Sequence, residues 1–111
     1  MSEIGEPGGR DGGEFAALTA AGSASEQLHL LLELVRAQTL AVLRRADPQA
    51  SERIDAERPF RDIGIDSLGL VELHSRLTAA TGLPLPVTIG FDYPSPVELA
   101  EYPVTNTHLR A

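Results

Sequence analysis

Asp62-Ile63-Gly64-Ile65-Asp66-Ser67-Leu68-Gly69-Leu70-Val71 is the stretch on which the reading of this chain turns. Gly64 and Asp66 interrupt regular structure, and the leucine-rich run after them has helical spacing, so Ser67 falls where a loop becomes a helix. The first N–H groups of a helix lack partners inside it and carry partial positive charge. A serine there either caps the helix through its oxygen or stands accessible as a place to hold a covalently attached phosphate. Both readings stay open on these residues alone.

The helix that begins here is expected to run from about Ser67 to Thr81 and to close at Gly82, with Pro84 and Pro86 enforcing the break. It carries two apolar stripes. Leu70, Leu73, Leu77 and Ala80 share one face and should be core. Leu68 and Val71 lie on another, beside Ser67, and either widen the buried face or form a small apolar contact surface. Glu72 and Arg76 stand four apart in the order that supports a helix. Gly69, a weak helix former, is expected to loosen the first turn.

Upstream, Ser23 and Glu26 have capping-box spacing, so a helix should begin near Ser23 or Ser25. Leu28, Leu31, Leu32, Val35, Thr39 and Val42 continue it at steps of three and four, to an end near Arg44 and Arg45 before Asp47-Pro48. Residues 46–66 form a long connection, anchored by Ile54, Phe60 and Ile63. Downstream, a short helical turn is expected around Thr88 to Asp92. Ser95-Pro96-Val97-Glu98 then starts a last helix that should end near Tyr102, where Pro103 cuts it short. The fold class is therefore all-α: a small bundle of three to four helices with a long loop between the first and second. Residues 1–24, with six of the ten glycines, read as a flexible leader, 25–102 as the folded domain and 103–111 as a flexible tail. Within the leader, Glu14 to Leu18 has the makings of a nascent helix.

Composition removes several function classes. The 111 residues contain no cysteine, which excludes disulfides, thiolate metal sites and a cysteine nucleophile. His29, His74 and His108 have no ligand spacing, so no metal site is expected. The net charge is −7 and lysine is absent, which argues against nucleic-acid binding and suits docking on positively charged partners, or serves solubility alone. No apolar run reaches membrane-spanning length, and the first residues lack signal-peptide character, so the expected compartment is the cytoplasm. Autonomous catalysis is not expected. His74 is two turns from Ser67, roughly 10 Å by helix rise, and the nucleophile-elbow pattern fails because Ile65 stands where its first glycine belongs.

Taken together, Phe60-Arg61-Asp62-Ile63-Gly64-Ile65-Asp66-Ser67-Leu68, then Val71-Glu72-Leu73-His74-Ser75-Arg76-Leu77, then Ala79-Ala80-Thr81-Gly82-Leu83-Pro84-Leu85-Pro86 and Phe91-Asp92-Tyr93-Pro94-Ser95-Pro96 resemble the acyl carrier proteins. The resemblance is to the carrier domains of modular (type I) polyketide synthases and covers about residues 25–102. It implies that Ser67 carries 4′-phosphopantetheine, transferred from coenzyme A by a separate phosphopantetheinyl transferase. The arm's thiol would hold acyl and polyketide intermediates as thioesters. Asp66, Leu68, Val71 and Glu72 match positions that partner enzymes recognise, and Phe60, Ile63, Leu73 and Leu77 match core positions. The implied partners are that transferase and the ketosynthase, acyltransferase and tailoring domains of a polyketide synthase. The domain would be a monomer in isolation, with no nucleic acid or membrane among its partners. Two other readings compete with this one: a carrier-like adaptor with Ser67 unmodified, and, more distantly, a serine hydrolase.

Overall fold

Ser23 opens the first helix. Its Oγ accepts the Glu26 N–H at 3.1 Å while its own N–H donates to Glu26 Oε1 at 3.0 Å, so two otherwise unpaired donors are satisfied reciprocally. This capping box selects Ser23 over Ser25. The computed structural model describes residues 22–51 and 53–106, without the side chains of 105 and 106. The expected nascent helix at Glu14 to Leu18 lies outside them, as does the leader up to residue 21.

Helix α1 spans Ala24–Ala46 and buries Leu31, Val35, Thr39 and Val42. Thr39 is buried in the core with its hydroxyl satisfied, because its Oγ1 donates to the Val35 carbonyl oxygen at 2.7 Å. The remaining helices are α2 (Phe60–Ile63), α3 (Ser67–Thr81), α4 (Ile89–Asp92) and α5 (Pro96–Asn106), and no strand occurs among the described residues. The all-α bundle is as expected, with α2 an additional single turn inside the long connection. α1 is the central element, packing against both α5 and α3, and α4 lies on α3.

The connection after α1 is tied down at three points. Ile54 and Phe60 are buried, and Ile63 is only partly so. The Phe60 N–H donates to the Pro94 carbonyl oxygen at 2.7 Å and the Val97 N–H to that of Ala56 at 2.9 Å. These two bonds fasten the loop to the start of α5. Ile65 is a core residue that the sequence did not single out.

Three expectations need correction. The last helix passes through Pro103 and reaches Asn106. Pro103 removes one helical donor, but it is fully buried and Val104 packs on the core, so apolar burial carries the chain past the break. The tail expected from residue 103 is thus helical as far as 106. Gly69 does not loosen α3. A Cβ there would stand 2.9 Å from Ile65 Cγ2 and 3.3 Å from Val42 Cγ1, so the missing side chain makes room for buried Ile65 and tight packing against Val42 of α1. Finally, of the proposed core stripe on α3, Leu73 and Leu77 are buried whereas Leu70 and Ala80 are half-buried.

Candidate attachment site

The loop that delivers Ser67 is fixed residue by residue. Gly64 ends α2 with φ at 116°, a left-handed conformation that favours glycine, and its N–H reaches the Phe60 carbonyl oxygen at 3.0 Å. The Ile65 N–H donates to the same carbonyl at 2.9 Å, and the Ile65 side chain is buried. Asp66 then sits in extended conformation as the N-cap of α3, its Oδ1 accepting the Gly69 N–H at 2.8 Å. The cap is Asp66, not Ser67.

Ser67 is the first residue of α3, exposed, and its hydroxyl has no hydrogen-bond partner among the described residues. A serine that must cap a helix cannot be freely substituted at its oxygen. Here the neighbouring carboxylate has taken that duty, and Ser67 Oγ is left free at the positive end of a helix of fifteen residues. Such a position tolerates a phosphodiester, so the local geometry fits a covalently held phosphate-bearing group.

Two grooves flank the serine. One, of about 450 Å³, runs between α2, α3 and α4 and is lined by Phe60, Ile65, Asp66, Ser67, Leu70 and Phe91, among others. It is mainly apolar, and Phe91 is 49 % exposed at its edge. Gly90 makes its wall possible, because a Cβ there would come within 2.8 Å of Leu70 Cδ2. The other, of about 270 Å³, follows the α1–α3 seam past Leu43, Arg45, Asp66, Leu68 and Glu72. A larger groove near Leu28, Tyr93, Tyr102 and Val104 includes no residue of α3. Its size does not connect it to the serine.

The other residues singled out in the sequence fall around Ser67 as follows. Leu68 is 77 % exposed and Val71 43 %, so the second apolar stripe is largely solvent-facing. Glu72 is engaged: its Oε2 accepts from Arg76 Nε at 3.1 Å and from Arg45 Nη1 at 3.0 Å. The first contact is the expected four-residue pair; the second, across to α1, was not anticipated. Partial burial would raise the Glu72 pKa, but the hydrogen bonds and charges of the two arginines outweigh it and hold the carboxyl below its ordinary value. His74 Nε2 lies 2.8 Å from the Leu85 carbonyl oxygen, which can only accept, so the ring donates there and serves packing. No group of three or more His, Asp or Glu side chains able to hold a metal ion occurs among the described residues. No helix among them is long and apolar enough to cross a membrane.

Comparison with known proteins agrees with this geometry. The phosphopantetheine attachment site family matches residues 33–103, and the chain belongs to that family. Its cofactor is the covalent phosphopantetheine group that defines the family. More narrowly, the chain is homologous to the acyl carrier domains of type I polyketide synthases. It is 57 % identical over 77 residues to the polyketide synthase GfsB of Streptomyces halstedii, a match covering 69 % of this chain and 1 % of that protein. It is 49 % identical over 89 residues to the pikromycin polyketide synthase component PikAII of Streptomyces venezuelae, covering 80 % of this chain and 2 % of the relative. The chain thus spans only a few hundredths of the length of these relatives. Among solved structures, the A1-type ACP domain from module 5 of MLSA1 superposes with a TM-score of 0.69 at 37 % identity, covering 79 % of this chain and 85 % of that one.

Proposed function

We propose that Ser67 is the residue that bears phosphopantetheine, and that the domain delivers acyl and polyketide intermediates to polyketide synthase enzymes as thioesters on that arm. The observation that carries the proposal is the division of labour at the head of α3: Asp66 caps, and the exposed Ser67 hydroxyl has no partner among the described residues. On transfer from coenzyme A, a phosphodiester forms at Ser67 Oγ. The pyrophosphate bond breaks, the nucleotide half leaves, and the hydroxyl proton passes to the transferase.

The chain's own contribution is positioning. The fixed Gly64–Asp66 turn holds the attachment point on a rigid helix, and tethering raises the effective concentration of cargo at each partner. Asp66, Leu68, Val71 and Glu72 form the surface that the phosphopantetheinyl transferase and the ketosynthase, acyltransferase and tailoring domains recognise. The apolar groove bounded by Phe60, Leu70 and Phe91 gives the arm a sheltered wall to lie along. The domain performs no catalysis of its own, as His74 is spent on Leu85 and leaves Ser67 without a base. It acts in the cytoplasm as a monomeric unit of about residues 25–102, extended by α5 to Asn106.

Intact-protein mass before and after incubation with a broad-specificity phosphopantetheinyl transferase, coenzyme A and magnesium tests this reading. A gain of one phosphopantetheine, mapped to Ser67, is expected. No gain by folded protein, with a control carrier modified alongside, returns the chain to the adaptor reading.

A further inference from the structure

Leu68, Glu72 and Arg76 follow one another at steps of four along the side of α3 that meets α1. There the antiparallel helices are latched by a polar chain. Gln38 Oε1 accepts from Arg76 Nη1 at 3.4 Å, Arg76 Nε donates to Glu72 Oε2, and Arg45 Nη1 donates to the same oxygen. The exposures are unequal. The Glu72 side chain is 27 % exposed, against 66 % for Arg45 and 37 % for Arg76. Two guanidinium cations meet one carboxylate, so the latch retains positive charge, and most of the Arg45 and Arg76 N–H donors have no partner among the described residues.

We propose that this face receives an acidic partner surface: Glu72 is an internal counterion that holds Arg45 and Arg76 in place, and those cations, beside Leu68 and Val71, meet carboxylates on a synthase enzyme. The proposal rests on the carrier reading and gives its partner face a sign. It reverses what the net charge of −7 suggests for the protein as a whole, since that balance favours basic partners. Asp66 lies on the rim of the same groove, but at the helix head, where the dipole offsets its charge. Other exposed acids, Asp62 and Asp92, lie toward α2 and α4, the former beside Arg61. Ser67 therefore stands between a cationic seam and a more acidic flank. That polarity fixes the orientation in which a complementary surface docks.

The test uses holo protein with a ketosynthase–acyltransferase didomain of a type I polyketide synthase that acylates the wild type. Wild type, Arg45→Glu/Arg76→Glu and the distant control Arg53→Glu/Arg58→Glu are first shown to be folded by circular dichroism and fully modified by intact mass. The kcat/KM for acyl transfer to the arm is then compared. The seam double variant should lose about tenfold or more, and the control, with the same change in net charge, less than about twofold. Wild-type rates in the seam double variant, or an equal loss in the control, overturn the assignment of sign while leaving the carrier reading intact. Failure of the wild type to take up phosphopantetheine overturns both.

Discussion

Leu68 and Leu73 are leucines of one helix, and they live in different media. Leu73 is fully buried beneath α1; Leu68, one turn and a half earlier, is 77 % exposed beside the free serine. The same side chain in the same helix is therefore used for cohesion in one place and left in water in the other. Burying a leucine contributes about 1.5–3 kcal/mol, so leaving one exposed in so small a domain forgoes a large share of its margin. The difference separates α3 into a structural face, Leu73 and Leu77 with the hydrogen-bonded Thr81, and a presenting face, Ser67, Leu68 and Val71. Gly69 sits on the boundary between them, buried against Val42 while its N–H anchors the cap.

Substitutions can break or sharpen this contrast. The largest effect is expected from Leu73→Ala, which should destabilise by about 2–5 kcal/mol through lost burial and a residual cavity, enough to approach the total stability of the domain. Urea unfolding measures it, and a loss below about 1 kcal/mol would mean the face is not the core it is described to be. Gly69→Ala comes next. The added methyl must push Ile65 or Val42 aside, and the strain outweighs the gain of about 1 kcal/mol in helix propensity. A net destabilisation is expected by the same measurement; a more stable protein would show that the α1–α3 approach relaxes freely.

Glu72→Gln has a smaller effect, and its signature is the dependence on pH. Because the folded-state pKa of Glu72 is lowered, its ion pairs stabilise the native state above the unfolded carboxyl pKa, and that contribution is lost as pH falls through the lowered value. Wild type should thus be the more stable near neutrality, and the gap should close in acid. A gap that is constant with pH would assign the difference to something other than the carboxylate. Leu68→Ala should be the quietest, changing stability by no more than about 0.5 kcal/mol while slowing partner-dependent acylation. If it unfolds the protein, the presenting face is structural after all.

What the sequence made legible, and what it hid, follows the range of the interactions. The Ser23–Glu26 box, the Gly82 terminus with φ at 71° and the Ser95–Glu98 start are made between residues a few positions apart, and each was readable as a local pattern. The ordered series of motifs around Ser67 was readable in the same way. By contrast, the extension of α5 through Pro103 depends on packing against a distant helix, and local chemistry pointed the other way. Gly69 reads as a weak helix residue until Val42 is placed opposite it. Arg45 reads as a cation suited to the end of α1, and its pairing with Glu72 crosses 27 positions of sequence. Ile65 gave no signal because a lone apolar residue in a loop has no period. At the site itself, serine and aspartate are both good caps, so only the geometry assigned the duty to Asp66.

Ser67→Ala tests directly whether Asp66 alone caps α3 and leaves Ser67 for attachment. Thermal unfolding and intact mass after the transferase reaction are measured on the same preparations of variant and wild type. Stability within about 0.5 kcal/mol of wild type, with complete loss of phosphopantetheine uptake, is the predicted result. A destabilisation of about 1 kcal/mol or more would show that Ser67 caps the helix, and uptake that persists would place the attachment elsewhere.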